Sequence, residues 1–306
     1  MVCKQCIENP VMKLPNSEVS MCKSCFCKHF EKKVFKTIAK YKLIQDGDHV
    51  GVAVSGGKDS TAVLYLINKF AKKHPSVKVT GLAVDEGIKG YRDESLNSLK
   101  KFCEKEKIEL HIVSYKEAFG EELDEIVKRF PRPCSICGVF RRYVLNTAAK
   151  KLNCTKLATG HNLDDEAQSI MMNQFRRNVK ISARLGPITG VLRNKEFIPR
   201  IKPLYFLMEK EVATYAFLKG YITKYSECPY TAASYRGNVR DLLYDFEAKF
   251  PGTKHNVVLS FLEILPLLKK NEVYHASLKY CEKCGEPCSQ DICQACKYVE
   301  TVIKEI

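Results

Sequence analysis

The segment His49-Val50-Gly51-Val52-Ala53-Val54 is apolar almost throughout, and Ser55-Gly56-Gly57 breaks it before a stretch with Ala62, Val63, Leu66, Ile67 and Phe70 on one helical stripe. A strand, a tight loop and an amphipathic helix are expected in that order. The alternation continues with a strand over 77–84, a helix over 94–105, strands over 110–113 and 156–159, and a helix from near Asp164. Apolar strands alternating with helices predict an α/β fold built on a parallel sheet. From about Arg200 onward the pattern predicts mainly helices.

Cysteine placement divides the chain into further zones. Cys3, Cys6, Cys22 and Cys25 form two Cys-x-x-Cys pairs separated by fifteen residues, a spacing suited to a tetrahedral Zn²⁺. Cys27 competes with Cys25, and the two-residue turn favours Cys25. Cys281, Cys284, Cys293 and Cys296 repeat the two pairs with eight residues between them, leaving Cys288 spare. Cys134 and Cys137 form a lone pair, open to reading as a redox dithiol or as half of another metal site. Pro131-Arg132-Pro133 predicts an extended entry to that pair, with a helix beginning near Gly138. Cys103 and Cys154 are expected to be buried thiols. The division expected is a zinc finger over 1–30, a catalytic domain over 31–270 and a second zinc finger over 271–306.

Charge narrows the partner. Lys plus Arg number 50 against 35 Asp plus Glu, a formal +15, and about +11 remains if eight cysteines are thiolates on two Zn²⁺ ions. Such a surplus favours a polyanion. No run approaches the roughly 20 apolar residues needed to span a bilayer, and the first residues contain no apolar signal core, so a cytoplasmic protein is expected.

The loop Ser55-Gly56-Gly57-Lys58-Asp59-Ser60 lies where a strand gives way to a helix, so backbone N–H groups and the helix dipole converge there on an anion. Adjacent glycines allow close approach of phosphate oxygens, the hydroxyls of Ser55 and Ser60 can donate, and Lys58 adds a point charge. The loop lacks the spacing and Lys-Ser/Thr ending of a Walker A loop, which disfavours simple γ-phosphate hydrolysis and favours adenylation with release of pyrophosphate. A turn with a Ser or Asp helix cap is the plainer alternative. Asp85, at the end of the second strand, belongs at the same sheet edge, either near a nucleoside or as a turn aspartate. Arg176, Arg177, Lys180, Arg184 and Arg193 make a basic run suited to a phosphate backbone. Tyr235, Arg236 and Arg240 offer a ring and two guanidiniums where an unstacked base can lie.

This loop, with Thr159-Gly160-His161-Asn162-Leu163-Asp164-Asp165, CSICGVFRRYVLN over 134–146, Glu227-Cys228-Pro229-Tyr230 and both cysteine-rich ends, resembles the PP-loop tRNA 2-thiouridine synthases. The resemblance runs from Cys3 to Cys296. It implies an adenine nucleotide α hydrolase-like fold flanked by zinc fingers, with ATP held by Ala53, Val54, Ser55, Gly56, Gly57, Lys58, Asp59, Ser60, Asp85, Gly160 and Asp165. Asp59 and Asp165 would be catalytic carboxylates near the phosphates or Mg²⁺. Arg141 falls where relatives often carry lysine, and arginine keeps the charge but cannot readily shuttle a proton. The resemblance also supplies Cys228 as third ligand, with Cys134 and Cys137, of a [4Fe-4S] cluster. One iron would then be open to hydrosulfide, unless sulfur passes through a cysteine persulfide. The reaction implied is adenylation of a uridine C2 oxygen followed by sulfur transfer. The partners implied are tRNA, sulfide or a ubiquitin-like sulfur carrier, and a second copy in a homodimer. Residues 138–142 and 235–243 resemble the archaeal and eukaryotic wobble-uridine enzymes more than those acting on the T-loop.

Overall fold

The computed structural model describes residues 2–130, 132–189, 198–221, 228–230, 235–273 and 279–303. A five-stranded sheet forms its centre, from β1 (His49–Val54), β2 (Lys78–Asp85), β3 (Glu109–Ser114), β4 (Lys156–Ala158) and β5 (Arg200–Ile201). The order is β3-β2-β1-β4-β5, and every neighbouring pair is parallel. The order reverses between β1 and β4, so a crevice opens beyond the carboxyl ends of those two strands, where ligands of open α/β sheets bind.

The longer helices are α1 (Lys23–Lys40), α2 (Lys58–Ala71), α3 (Tyr91–Glu106), α4 (Pro133–Lys151), α5 (Leu163–Phe175), α6 (Glu209–Leu218), α7 (Tyr235–Lys249) and α8 (Thr253–Val273). Val50, Val52, Leu64 and Ile67 share one apolar cluster with Phe30, Val34 and Ile38 of α1. Leu82, Val84 and Leu157 share another with Ile136, Phe140 and Val144 of α4. The sheet thus carries helices on both faces, as expected. A third cluster joins Leu163, Ala167 and Ile170 of α5 to Val239 of α7 and Val258 and Phe261 of α8. Among the described residues, no helix is long and apolar enough to cross a membrane.

The helix expected near Gly138 begins earlier, at Pro133. Proline fits the first helical position because its missing N–H is an unpaired donor there anyway and its φ is already helical. Cys134 and Cys137 consequently sit one turn apart at the start of α4. The mainly helical region after Arg200 also opens with the short edge strand β5. Tyr235 and the arginines after it lie on α7.

Both cysteine-rich ends are short antiparallel hairpins docked on the body. In the N-terminal one, Met12 pairs with Met21, and α1 starts inside the cysteine set and runs straight past residue 30. Phe30 of α1 stacks on Tyr215 of α6 at 4.2 Å between centroids. In the C-terminal one, Lys279 pairs with Cys288, and Glu286 accepts from Asn146 and Lys150 of α4, each at 3.0 Å. Ala295 is buried in the cluster that contains Phe140.

Candidate active site

The nucleotide loop leaves β1 at Val54 and enters α2 at Lys58. Gly56 adopts φ +81°, and a Cβ there would lie 2.6 Å from the Ser95 carbonyl oxygen, so only glycine fits. Ser60 Oγ accepts from the Ser55 amide at 3.2 Å and donates to the Gly57 carbonyl at 3.1 Å. Ser55 Oγ meets Ser60 Oγ at 3.3 Å. These two hydroxyls therefore shape the loop itself, a role the sequence did not show.

The second motif approaches this loop closely. A Cβ on Gly160 would come within 2.9 Å of the Ser60 amide nitrogen, so glycine lets the turn after β4 touch the start of α2. Asn162 caps α5, accepting from the Asp165 amide at 3.1 Å, while Asp165 Oδ2 accepts from the Asn162 amide at 3.2 Å. The Asn162 side chain also donates to Asp59 Oδ1 at 3.1 Å. Burial pushes the Asp165 carboxyl up to about 6; its hydrogen bond to the Asn162 amide and Arg236 offset part of that rise, and Asp59 adds a smaller one. Two carboxylates facing one space, one of them reluctant to ionise, make a site whose charge a divalent cation would balance. Asp59 and Asp165 can each offer an oxygen to Mg²⁺ brought with a nucleotide.

Lys58 Nζ lies 2.9 Å from Asp59 and 2.9 Å from Glu209 at the start of α6. Burial alone would lower this ammonium; Asp59 and Glu209 outweigh it and hold Lys58 firmly protonated. Glu209 also accepts from the Tyr244 hydroxyl at 2.7 Å. Asp164 accepts from the Glu209 amide at 2.7 Å and from buried Lys254 at 2.6 Å. Asp85 Oδ1 accepts from the Gly87 amide at 2.9 Å, the turn-aspartate geometry, at the same carboxyl edge of the sheet.

Cys134 and Cys137 lie at the start of α4. Cys134 is exposed and its Sγ donates to the Tyr230 carbonyl at 3.4 Å, two residues from Cys228. Burial raises the Cys134 thiol, and Cys137 and Cys228 raise it further, so the three sulfurs are electrostatic neighbours. Cys137 is buried; Arg141 donates to its Sγ at 3.3 Å, and the Tyr115 hydroxyl donates to its carbonyl at 2.8 Å. These three do not form a set with all sulfurs within 4.8 Å. Thiols are soft donors of the kind that hold an iron-sulfur group.

The two terminal sets are tight. Within each, all four sulfurs lie within 4.8 Å of one another, and Cys25 is the fourth member of the first set, not Cys27. Cys6 stands 3.5 Å from Cys22 and 3.8 Å from Cys25, and Cys284 stands 3.7 Å from Cys293. Four thiolates at about 2.3 Å from a tetrahedral Zn²⁺ would be about 3.8 Å apart. Backbone N–H groups favour the thiolate at one cysteine of each set, while burial and the neighbouring sulfurs raise Cys25, Cys293 and Cys296. The Cys22 amide leads the effects that bring Cys3 down to about 6, and at Cys281 the Cys293, Cys284 and Lys283 amides outweigh burial to reach about 6 as well.

A model of the PP-loop domain matches residues 27–233. The chain is 34% identical to the tRNA 2-thiolation protein NcsA of Haloferax volcanii, over 99% of both chains. It belongs to the PP-loop tRNA thiolases. Another member, the tRNA-5-methyluridine(54) 2-sulfurtransferase of Pyrococcus horikoshii, is 37% identical over 97% of this chain and 93% of its own. The solved U34-tRNA thiolase NcsA from Methanococcus maripaludis, which holds a [4Fe-4S] cluster, superposes with TM-score 0.82 at 34% identity, covering 98% of this chain and 96% of that one.

Within this thiolase, residues that spacing did not reveal complete the site. Buried Glu86 follows Asp85 directly, pairs with buried Arg92, and lies 2.9 Å from Arg141. Lys202, beside the basic run, is buried against Glu166 at 2.7 Å. Arg176, Arg177, Lys180 and Arg184 are exposed, and Arg176 lies over the Tyr235 ring at 3.9 Å. Arg236 reaches Asp165 at 3.2 Å and Ser169 at 3.0 Å, bringing α7 to the nucleotide edge. Arg193, Pro131 and Glu227 lie outside the described residues.

Proposed function

We propose that this chain 2-thiolates tRNA at the wobble uridine, using ATP to activate the C2 oxygen. The observation that carries this reading is that direct contacts link the parts: Asn162 joins Asp59 to Asp165, and Arg92, Glu86 and Arg141 connect the Ser55 carbonyl of the nucleotide loop to the Cys137 sulfur. Loop amides and Lys58 bind the phosphates, and Asp59 and Asp165 would hold the Mg²⁺ that accompanies them and offset their charge. The uridine C2 oxygen attacks the α-phosphorus, the bond to pyrophosphate breaks, and Lys58 stabilises the departing charge. Attack of sulfide at C2 then expels AMP, which carries the former carbonyl oxygen. There is no net redox change.

Cys134, Cys137 and Cys228 would hold the iron-sulfur cluster, which when bound supplies a Lewis-acidic iron without a protein ligand as the seat for sulfide. Arg141 keeps positive charge beside Cys137; burial, which lowers its guanidinium, is outweighed by Glu86 and Cys137. Arg176 and Tyr235 offer a base a stacking place near Asp165. The terminal Cys₄ sets are structural zinc fingers flanking the catalytic part. Sulfide or a ubiquitin-like carrier is the donor, and the active form is a homodimer.

Relatives named for position 34 and position 54 are similarly distant, so overall identity does not choose between them. The choice of the wobble position rests on residues 138–142 and 235–243. The test is anaerobic incubation of the iron-loaded protein with ATP, sulfide and unmodified tRNA, followed by mass spectrometry of nuclease fragments. Sulfur in the anticodon fragment is expected. Sulfur confined to the T-loop fragment would overturn the position, and unmodified tRNA would overturn the reading.

A further inference from the structure

The nucleotide loop and the Cys137 sulfur are bridged by an unbroken set of charged contacts. Arg92, on the first turn of α3 and 3% exposed, donates to the Ser55 carbonyl at 3.0 Å. It pairs with Glu86, which is 1% exposed. The other oxygen of Glu86 lies 2.9 Å from Arg141, and the same terminal nitrogen of Arg141 donates to Cys137 Sγ at 3.3 Å. Arg92 also meets Ser95 Oγ at 3.3 Å, close to where Gly56 packs on the Ser95 backbone.

The geometry points to Glu86 as a positioning residue that couples occupancy of the nucleotide loop to the placement of Arg141 against the Cys137 sulfur. This inference deepens the proposed function and rests on it. A single buried carboxylate between two guanidiniums leaves one net positive charge, so neither arginine can move far without leaving Glu86 underpaired in a dry site, a costly state. Planar guanidiniums transmit such constraint because each fixes several donor directions at once. When phosphates draw the Ser55–Gly57 backbone toward them, the Ser55 carbonyl shifts, and Arg92, Glu86 and Arg141 shift with it. The consequence is timing: the sulfur-bearing turn of α4 is set for attack when a nucleotide is present. Neither Glu86 nor Arg92 touches substrate in this scheme.

The coupling is measurable without tRNA or iron. Hydrogen–deuterium exchange is followed in the full chain with and without α,β-methylene-ATP and Mg²⁺. In the parent protein the analogue should slow exchange both in the loop over 55–60 and in the first two turns of α4. In Glu86→Gln, which keeps shape but removes the charge, the loop should still be protected, while the added protection over α4 should fall at least threefold. Arg141→Gln, at a half-exposed side chain that leaves the Arg92–Glu86 pair intact, should behave the same way and keeps the test alive if Glu86→Gln does not fold. In thiolation assays both variants should lose about tenfold or more in kcat with KM for ATP within twofold of the parent. Parental α4 protection in both variants overturns the inference, as does a parent whose α4 ignores the analogue. Either result leaves tRNA thiolation standing, and absence of thiolation beside intact coupling would fail the proposed function alone.

Discussion

Asn162 Nδ2 donates to Asp59 Oδ1 at 3.1 Å, so the residue that caps α5 also fixes a carboxylate on α2, 103 positions earlier in the chain. Its two ends serve different purposes: the carbonyl oxygen holds the helix start, and the amide nitrogen aims Asp59 at the crevice. Substitution can separate them. Asn162→Ala should cost about 1 kcal/mol from the lost cap, roughly 2 °C in melting temperature for a chain of this size, and reduce tRNA-dependent pyrophosphate release tenfold or more. Asn162→Ser should restore most of the melting temperature but not the pyrophosphate release. Calorimetry alongside a pyrophosphate assay checks both.

Lys58→Ala and Asp59→Asn should each lower pyrophosphate release by about 10² or more, as for other preorganised electrostatic groups. Folding should survive, because both lie where the loop meets α2. Near-normal release with either variant would reject the roles given to them.

Asp165 supplies the pH dependence. Its folded value near 6 stands above the ordinary carboxylate value of 3.8, so at neutral pH the fold carries the cost of an unwillingly ionised group. That cost disappears as pH falls through 6 toward 4. Asp165→Asn should therefore be more stable than the parent at pH 7.5, by about 1 kcal/mol after allowance for partial exposure. The difference should shrink on acidification, while thiolation is abolished throughout. Melting curves at pH 7.5 and pH 5 decide it: an unchanged gap removes the argument.

Cys134→Ala, Cys137→Ala and Cys228→Ala should each lose bound iron and thiolation while zinc stays at two per chain, measured by elemental analysis of anaerobic preparations. Cys27→Ser should keep both metals, since Cys27 stands outside the first set. Full iron in Cys228→Ala would sink the three-cysteine site.

Much of this site is legible in the sequence because its parts are local. The strand-loop-helix around Gly56, the Asn162–Asp165 cap and the paired cysteines each rest on spacings of a few residues. The start of α4, at Pro133 and not near Gly138, is ambiguous in sequence because Pro131-Arg132-Pro133 reads equally as an extended entry or as a helix opening with proline at its first position. Glu86, Arg92 and Glu209 escaped notice for another reason. Glu209 meets Lys58 across 151 positions, and Arg92 meets Ser55 across 37; only the packing of α6 on α2 and the pairing of β2 with β1 bring such residues together. The one local hint was an acidic residue directly after Asp85 at the end of an apolar strand.

Glu286 ties the C-terminal hairpin to Asn146 and Lys150, on the same helix whose first turn carries Cys134 and Cys137. At the other end, the N-terminal set continues into α1, which stacks on α6, the helix that presents Glu209 to Lys58. A metal bound in each Cys₄ set would thereby brace one half of the site without taking part in the chemistry. Enzyme output would then follow how well the cell is supplied with that metal, and a shortage would leave tRNA under-thiolated although no gene had changed.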